Sequence, residues 1–314
     1  MRAAVLREFG DPEELGIEEV EAPVPGPGEV LVRIRASSAN PVDGLIRKGM
    51  ANPALPLPTI IGSDVAGVVE QVGDGVTDVV AGDEVYYTSE LATGGGAYAQ
   101  YHVAAASIVA PKPPSLSFEE AAAIPLAGGT AWEAIVRRLE VRPGQTVLVH
   151  GGSGGVGSFA VQFAKAAGAA VLSTAGPDHQ ELLRELGATP VDYQSEDFVE
   201  VARAHTDGLG VDAVLDTVGG ANIGGSSKAT RDGGRIATIL APDGRLDDLY
   251  QRNQTLYGIF LTRERRRLTE MTPIFERGLA EPKIAATMPL DDIVNIHRRL
   301  DKSHNAGKLV IAVP

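Results

Sequence analysis

The chain has 314 residues, 44% of them hydrophobic and 22% charged, with no cysteine and a net charge of −13. That length suits two domains, and the composition is that of a folded protein able to bury its core without disulfides or metals. The missing cysteine excludes Cys-based zinc sites, iron–sulfur clusters and thiolate nucleophiles, and the acidic balance argues against a nucleic-acid partner.

The start, Met1-Arg2-Ala3-Ala4-Val5-Leu6-Arg7-Glu8, meets charge too soon for a signal peptide. No later apolar run approaches the roughly 20 residues that span a bilayer, so a cytoplasmic protein without a membrane partner is expected. Residues 1–115 hold short Val/Ile-rich runs cut by Gly and Pro, such as Val30–Arg35 and Val65–Glu70. They read as antiparallel strands, with Pro23, Pro25 and Pro27 stiffening an extended connection. Ser117 followed by Glu119 and Glu120 predicts a helix start.

Beyond residue 116 strands and helices alternate. Thr146–His150 reads as a buried strand, Val156–Ala167 as a helix, Ala170–Thr174 as a strand, and His179–Leu186 as a helix closed by Gly187. Val211–Asp216, Arg235–Leu240 and Thr255–Phe260 supply further strands, and the spacing predicts a doubly wound parallel sheet. The Arg263–Arg267 cluster reads as a solvated helix face. Lys283–Met288 and Lys308–Val313 look like strands around an amphipathic helix at Leu290–Leu300. Too short to bury a core of its own, this tail is expected to pack on the first domain. The expected division is 1–122 with 263–314 as one α/β-class, β-rich domain and 123–262 as the parallel-sheet domain.

The strongest motif is Val147-Leu148-Val149-His150-Gly151-Gly152-Ser153-Gly154-Gly155-Val156-Gly157. Its glycines follow a strand and open a helix, where they let the backbone approach a pyrophosphate held by the helix amides and dipole. Gly152, Ser153, Gly154, Gly155 and Val156 are therefore candidate cofactor-binding residues. A carboxylate at the end of the second strand would select NAD. Here Thr174-Ala175-Gly176 stands there, with Asp178 and His179 slightly later. That predicts NADPH with a weak preference over NADH, with Thr174 and His179 near the ribose.

Further strings accompany the motif: Ala39-Asn40-Pro41-Val42-Asp43, Arg47-Lys48-Gly49, Ile61-Gly62-Ser63-Asp64-Val65-Ala66-Gly67, Gly96–Tyr101, Leu126-Ala127-Gly128-Gly129-Thr130-Ala131, Asp216-Thr217-Val218-Gly219-Gly220 and Gly307-Lys308-Leu309-Val310. With them the chain resembles, from end to end, the zinc-independent quinone oxidoreductases of the medium-chain dehydrogenase/reductase superfamily, the zeta-crystallin-like group. The resemblance implies a GroES-like catalytic domain plus a Rossmann domain, with NADPH between them. Zinc-dependent relatives carry Gly-His-Glu where this chain has Gly62-Ser63-Asp64 and a cysteine near Ser37 or Ser38, so no zinc is expected. His102, His150 and His304 are scattered single histidines.

By the same resemblance, Asn40 is either a polar contact to acceptor or nicotinamide or a turn residue before Pro41. Asp43 belongs to the same segment in a cofactor-side or structural role. Thr130 is expected by the nicotinamide, or as a helix threonine bonding its own backbone. Val218, Phe260 and Leu261 are expected to border the cofactor, and Lys308 to reach its phosphates or to lie exposed on a terminal strand. Two departures stand out: Met50-Ala51-Asn52 replaces a tyrosine found after Arg-x-Gly in some relatives, and Ala175, Gly176 and His179 replace a serine–lysine phosphate grip.

The expected activity is NADPH-dependent reduction of quinones or related conjugated carbonyl compounds by direct hydride transfer. The alternatives are an enone, alkenal or enoyl double-bond reductase, and a non-catalytic nicotinamide-nucleotide sensor or structural protein. The apolar strand at 255–260, at the sheet edge, predicts a homodimer.

Overall fold

The computed structural model describes residues 1–90, 95–243, 246–302 and 305–314; His304 lies outside them. The chain divides into two compact units, one of Met1–Ala127, Thr262–Glu276 and Pro282–Pro314, the other of Gly128–Leu261 and Arg277–Glu281.

The first unit opens with β1 (Arg2–Leu6), β2 (Leu15–Glu19), β3 (Glu29–Ala39), helix α1 (Pro41–Arg47), β4 (Thr59–Ile60), β5 (Asp64–Val72), β6 (Glu84–Thr88), β7 (Tyr101–Ala105) and β8 (Ala110–Pro111). β1 pairs antiparallel with β2 and β4 in a small sheet. β3 is the spine of the larger one, antiparallel to both β5 and β7. Sequence alone predicts a strand over 30–35, yet it runs on through Ala36, Ser37, Ser38 and Ala39. Pairing supplies the reason, because Ser37 and Ser38 lie opposite Val65 and Asp64 of β5. Tertiary hydrogen bonding overrides the weak strand propensity of small residues.

Helix α2 (Phe118–Ala122) starts as its sequence predicts. Ser117 Oγ accepts from the Glu120 amide at 3.1 Å, and the Ser117 amide donates back to Glu120 Oε2 at 2.8 Å. Helix α3 (Pro125–Trp132) continues as a π-helical stretch over Glu133–Arg138.

The second unit is built on β9 (Thr146–His150), helix α4 (Gly155–Ala166), β10 (Ala170–Ala175), α5 (Gln180–Glu185), β11 (Thr189–Asp192), α6 (Phe198–His205), β12 (Val211–Asp216), α7 (Asn222–Ala229), β13 (Thr230–Thr238), α8 (Asp247–Gln251) and β14 (Thr255–Gly258). Every strand pair is parallel, in the order β11-β10-β9-β12-β13-β14. This is a Rossmann sheet, whose order reverses beside β9. Apolar residues of the central strands, among them Leu148, Leu172, Val214 and Ile236, form one buried cluster with Ile223 and Ala229 of α7. The helix predicted over 179–186 begins earlier, as a 3-10 turn at Pro177–His179, because Pro177 fixes its own φ at the first position.

The chain then returns to the first unit with α9 (Arg265–Glu276), β15 (Ile284–Pro289), α10 (Ile293–Asp301) and β16 (Lys308–Ala312). β16 lies antiparallel to β3, with Leu309 opposite Ala39 and Ile311 opposite Ser37, completing the order β15-β16-β3-β5-β6-β8. The Arg263–Arg267 cluster is not the solvated face its sequence suggests. Arg263 donates to the Ser89 carbonyl, Arg265 to the carbonyls of Val109 and Ala106, and buried Arg267 to that of Thr262. Only Arg266, paired with Glu270, is largely exposed. The guanidinium groups satisfy loop carbonyls that lack strand partners, a use no helical periodicity reports. Among the described residues no helix is long and apolar enough to cross a membrane.

Candidate functional site

In the second unit the candidate residues gather where the parallel strands end. β9 stops at His150, and Gly151 turns the chain at φ +69°, in the left-handed region. Behind the turn there is no room for side chains. A Cβ on Gly152 would stand 1.9 Å from Ser173 Oγ, and one on Gly157 would stand 2.1 Å from the Gly151 carbonyl oxygen. Gly154 opens α4 in extended conformation, and no side chain caps the helix there. Ser153, Gly154, Gly155 and Val156 are half-buried. The first-turn amides and the positive end of a twelve-residue helix thus face a site suited to an anion.

At the end of β10, buried Thr174 accepts the Gly151 amide on its hydroxyl at 3.1 Å, and its carbonyl accepts the Gly152 amide at 3.0 Å. Ala175 and Gly176 follow, then half-buried His179 and exposed Asp178 in the 3-10 turn. Tyr193, after β11, comes up beside this point, its hydroxyl 3.5 Å from where a Gly176 Cβ would lie. At the end of β12, buried Asp216 accepts from the amides of Val218 and Gly219, both at 2.9 Å, and holds Val218 out from the sheet. Phe260, beyond β14, is 83% exposed while Leu261 is buried; Thr130 is buried on α3.

In the first unit a buried polar cluster surrounds the start of α1. Asn40 is its N-cap residue, but its side chain does not cap the helix. Instead Asn40 Nδ2 donates to Asp64 Oδ2 at 2.8 Å and Asn40 Oδ1 accepts from Lys308 Nζ. Asp64 also accepts from Ser38 Oγ at 2.7 Å and from the Leu126 amide at 2.8 Å, and the Lys308 ammonium lies 3.5 Å from it. Asp43 is fully buried. It accepts from Ser63 Oγ, from the Asn40 amide at 2.8 Å and from Tyr98 OH at 2.9 Å. Burial raises its pKa to about 6 against those hydrogen bonds. Burial likewise lowers that of Lys308, which Asp64 and Asp43 oppose.

Lys308 is therefore not an exposed lysine on a terminal strand. It is 4% exposed and committed to Asn40, Asp64 and the Ala39 carbonyl. The paired register of β16 on β3 places it there, two strands that are consecutive in space and remote in sequence.

Residues 26–114 match the alcohol dehydrogenase GroES-like domain family, and residues 155–277 the zinc-binding dehydrogenase family. The quinone oxidoreductase of Homo sapiens is 31% identical over 99% of this chain and 97% of its own length. The chain belongs to the medium-chain dehydrogenase/reductase superfamily. Within it, this medium-chain oxidoreductase groups with the quinone oxidoreductases and consists of a GroES-like unit and a Rossmann unit. A solved NAD-dependent alcohol dehydrogenase superposes on it with a TM-score of 0.94 at 37% identity, both chains covered in full. The quinone oxidoreductase from Coxiella burnetii does so with a TM-score of 0.89 at 29% identity, over 100% of this chain and 99% of that one.

Sequence reasoning on this medium-chain oxidoreductase misses three participants. Asp64 is the hub of the buried cluster, Tyr193 stands beside the end of β10, and His150 bonds to Thr174 and Ser226. Asp64 carries a signal, since it sits in the Gly62-Ser63-Asp64 string. His150 stands in the glycine string itself, whereas Tyr193 carries no signal, because only the folded sheet brings it to the strand ends.

Proposed function

We propose that this protein is a cytoplasmic reductase that transfers a hydride from NADPH directly to quinones or related conjugated carbonyl compounds, without a metal ion. The observation that carries the reading is the glycine turn at 151–157, set against an uncapped helix at the point where the strand order reverses. Bound there, the dinucleotide supplies the hydride, and the protein supplies binding and orientation.

The amides around Gly152, Ser153, Gly154, Gly155 and Val156 hold the pyrophosphate. Thr174 and His179 border the ribose. The absence of a carboxylate at Thr174-Ala175-Gly176 leaves space for a 2′-phosphate, with the Tyr193 hydroxyl as a donor beside it, and this supports NADPH over NADH. Thr130, Val218, Phe260 and Leu261 are assigned to the nicotinamide end. Asn40 keeps its role as a polar contact to the acceptor or nicotinamide. Its carboxamide cannot flip, because Lys308 requires an oxygen on one side and Asp64 an N–H on the other. Lys308 then serves by fixing Asn40, and Asp43 by fixing the turn into α1.

A zinc ion does not suit the donor set. The chain has no cysteine, and among the described residues no group of three or more His, Asp or Glu could hold a metal. Ser38, Ser63 and Asp64 are already bonded within the cluster, and the nearby cation is an ammonium. The acceptor gains the hydride and a solvent proton, which for a quinone completes the two-electron reduction to the hydroquinone. We further propose that two copies pair through the edge strand β14.

The test follows loss of NADPH absorbance with a naphthoquinone and, separately, a simple enone, with NADH in parallel. Quinone-dependent oxidation that is faster with NADPH is the expected result. Oxidation with the enone alone would instead make the protein a double-bond reductase. Nucleotide binding without turnover on either acceptor would overturn the quinone-reductase reading.

A further inference from the structure

His150, the last residue of β9, takes no part in the chemistry above, yet it is 2% exposed and bonded on both ring nitrogens. Nδ1 lies 3.4 Å from Thr174 Oγ1 and Nε2 lies 3.1 Å from Ser226 Oγ on α7. The Thr174 hydroxyl oxygen already accepts the Gly151 amide, so its hydrogen is the one available for Nδ1. Nδ1 then accepts, the ring proton stands on Nε2, and Ser226 Oγ receives it. Burial pushes the His150 pKa down to about 4, against the pull of Asp216, which agrees with a neutral ring. Phe198 of α6 packs edge-on against the imidazole at 4.6 Å, and Thr217 Oγ1 donates to the His150 carbonyl at 2.7 Å.

A continuous chain of hydrogen bonds therefore runs from the Gly151 amide through Thr174 and His150 to Ser226. Packing alone would be served by an apolar side chain. A buried imidazole is costly unless both nitrogens are paired, and here the pairing ends on the first residue of the glycine turn. We propose that His150 is a positioning residue. By accepting the Thr174 hydroxyl hydrogen it keeps that oxygen turned to the Gly151 amide, and so sets the turn that receives the dinucleotide pyrophosphate. The inference rests on the reading of that turn as a nucleotide site.

The test compares His150→Phe, His150→Asn and His150→Gln by NADPH binding, followed through nucleotide fluorescence, and by steady-state kinetics. Asn places its amide oxygen near the position of Nδ1, Gln reaches only towards Ser226, and Phe keeps shape without polarity. His150→Phe should weaken NADPH binding about tenfold, the loss of one buried hydrogen bond, and raise the KM for NADPH with kcat little changed. Asn should restore most of that affinity and Gln little. Thr174→Val should reproduce the loss without adding to that of His150→Phe, and it tests the same link if the Phe variant does not fold. Equal NADPH affinity in folded Phe, Asn and Gln variants overturns the positioning role and leaves the site reading intact. A folded wild-type protein that binds neither NADPH nor NADH overturns both.

Discussion

Asp43 receives three donors and still holds its proton unusually tightly, because hydrogen bonds do not fully replace the water that burial removes. An unfolded aspartate ionises near 3.8 and the buried one near 6, so between those values the folded chain carries a proton that the unfolded chain has lost. The resulting contribution to stability is complete below the lower value and is lost as pH rises through the higher one. Asp43→Asn, which cannot ionise, should remove that slope. Relative to the variant, the wild-type protein should lose on the order of 3 kcal/mol between about pH 4 and pH 7. Urea midpoints across that range measure it, and a wild-type–variant gap that does not change with pH would contradict it. Asn40 and Asp43 are legible in the sequence because they share one short string. What Asn40 is bonded to is not, since Asp64 and Lys308 lie 24 and 268 residues away along the chain.

The strand–glycine turn–helix over 146–166 is the element that sequence reads best, because its logic is local: apolar strand, left-handed glycine, helix start. Its third tight glycine has a measurable purpose. Gly157→Ala would drive a methyl group into the Gly151 carbonyl, which is backbone and cannot swing aside. We expect a loss of about 1–3 kcal/mol in unfolding free energy together with weaker nucleotide binding; a stable variant with unchanged affinity would show that the turn has slack. Helix α9 is the counter-example. Its arginines have the spacing of a solvated face, and periodicity distinguishes polar from apolar sides well. It does not reveal that the carbonyls of Ala106 and Val109 lie within reach of Arg265.

For the whole molecule, among the described residues β14 pairs with β13 alone and forms an edge of the parallel sheet, and strands left open on one side invite a partner. Exposed Tyr250 and Phe260 flank the strand in sequence. Light scattering should return twice the mass of one chain, and a monomer at assay concentrations would reject the pairing. The parallel, doubly wound sheet was legible from sequence, through the alternation of strand and helix after residue 116; β11 at its far edge was not. The reach of the tail was only half so: its strands can be read, but the register that carries Lys308 beneath Asn40 depends on β16 choosing β3.

That choice orders events during synthesis. Once Gly258 has been made, every described strand of the parallel sheet exists, whereas β3 must wait for Lys308–Ala312, which follow it along the chain. The first unit is completed only after the unit inserted in it. A chain cut before Lys308 would keep its parallel sheet and leave Asp43 and Asp64 without the ammonium that faces them. The Asn40 cluster thus closes only after the whole parallel sheet has been made.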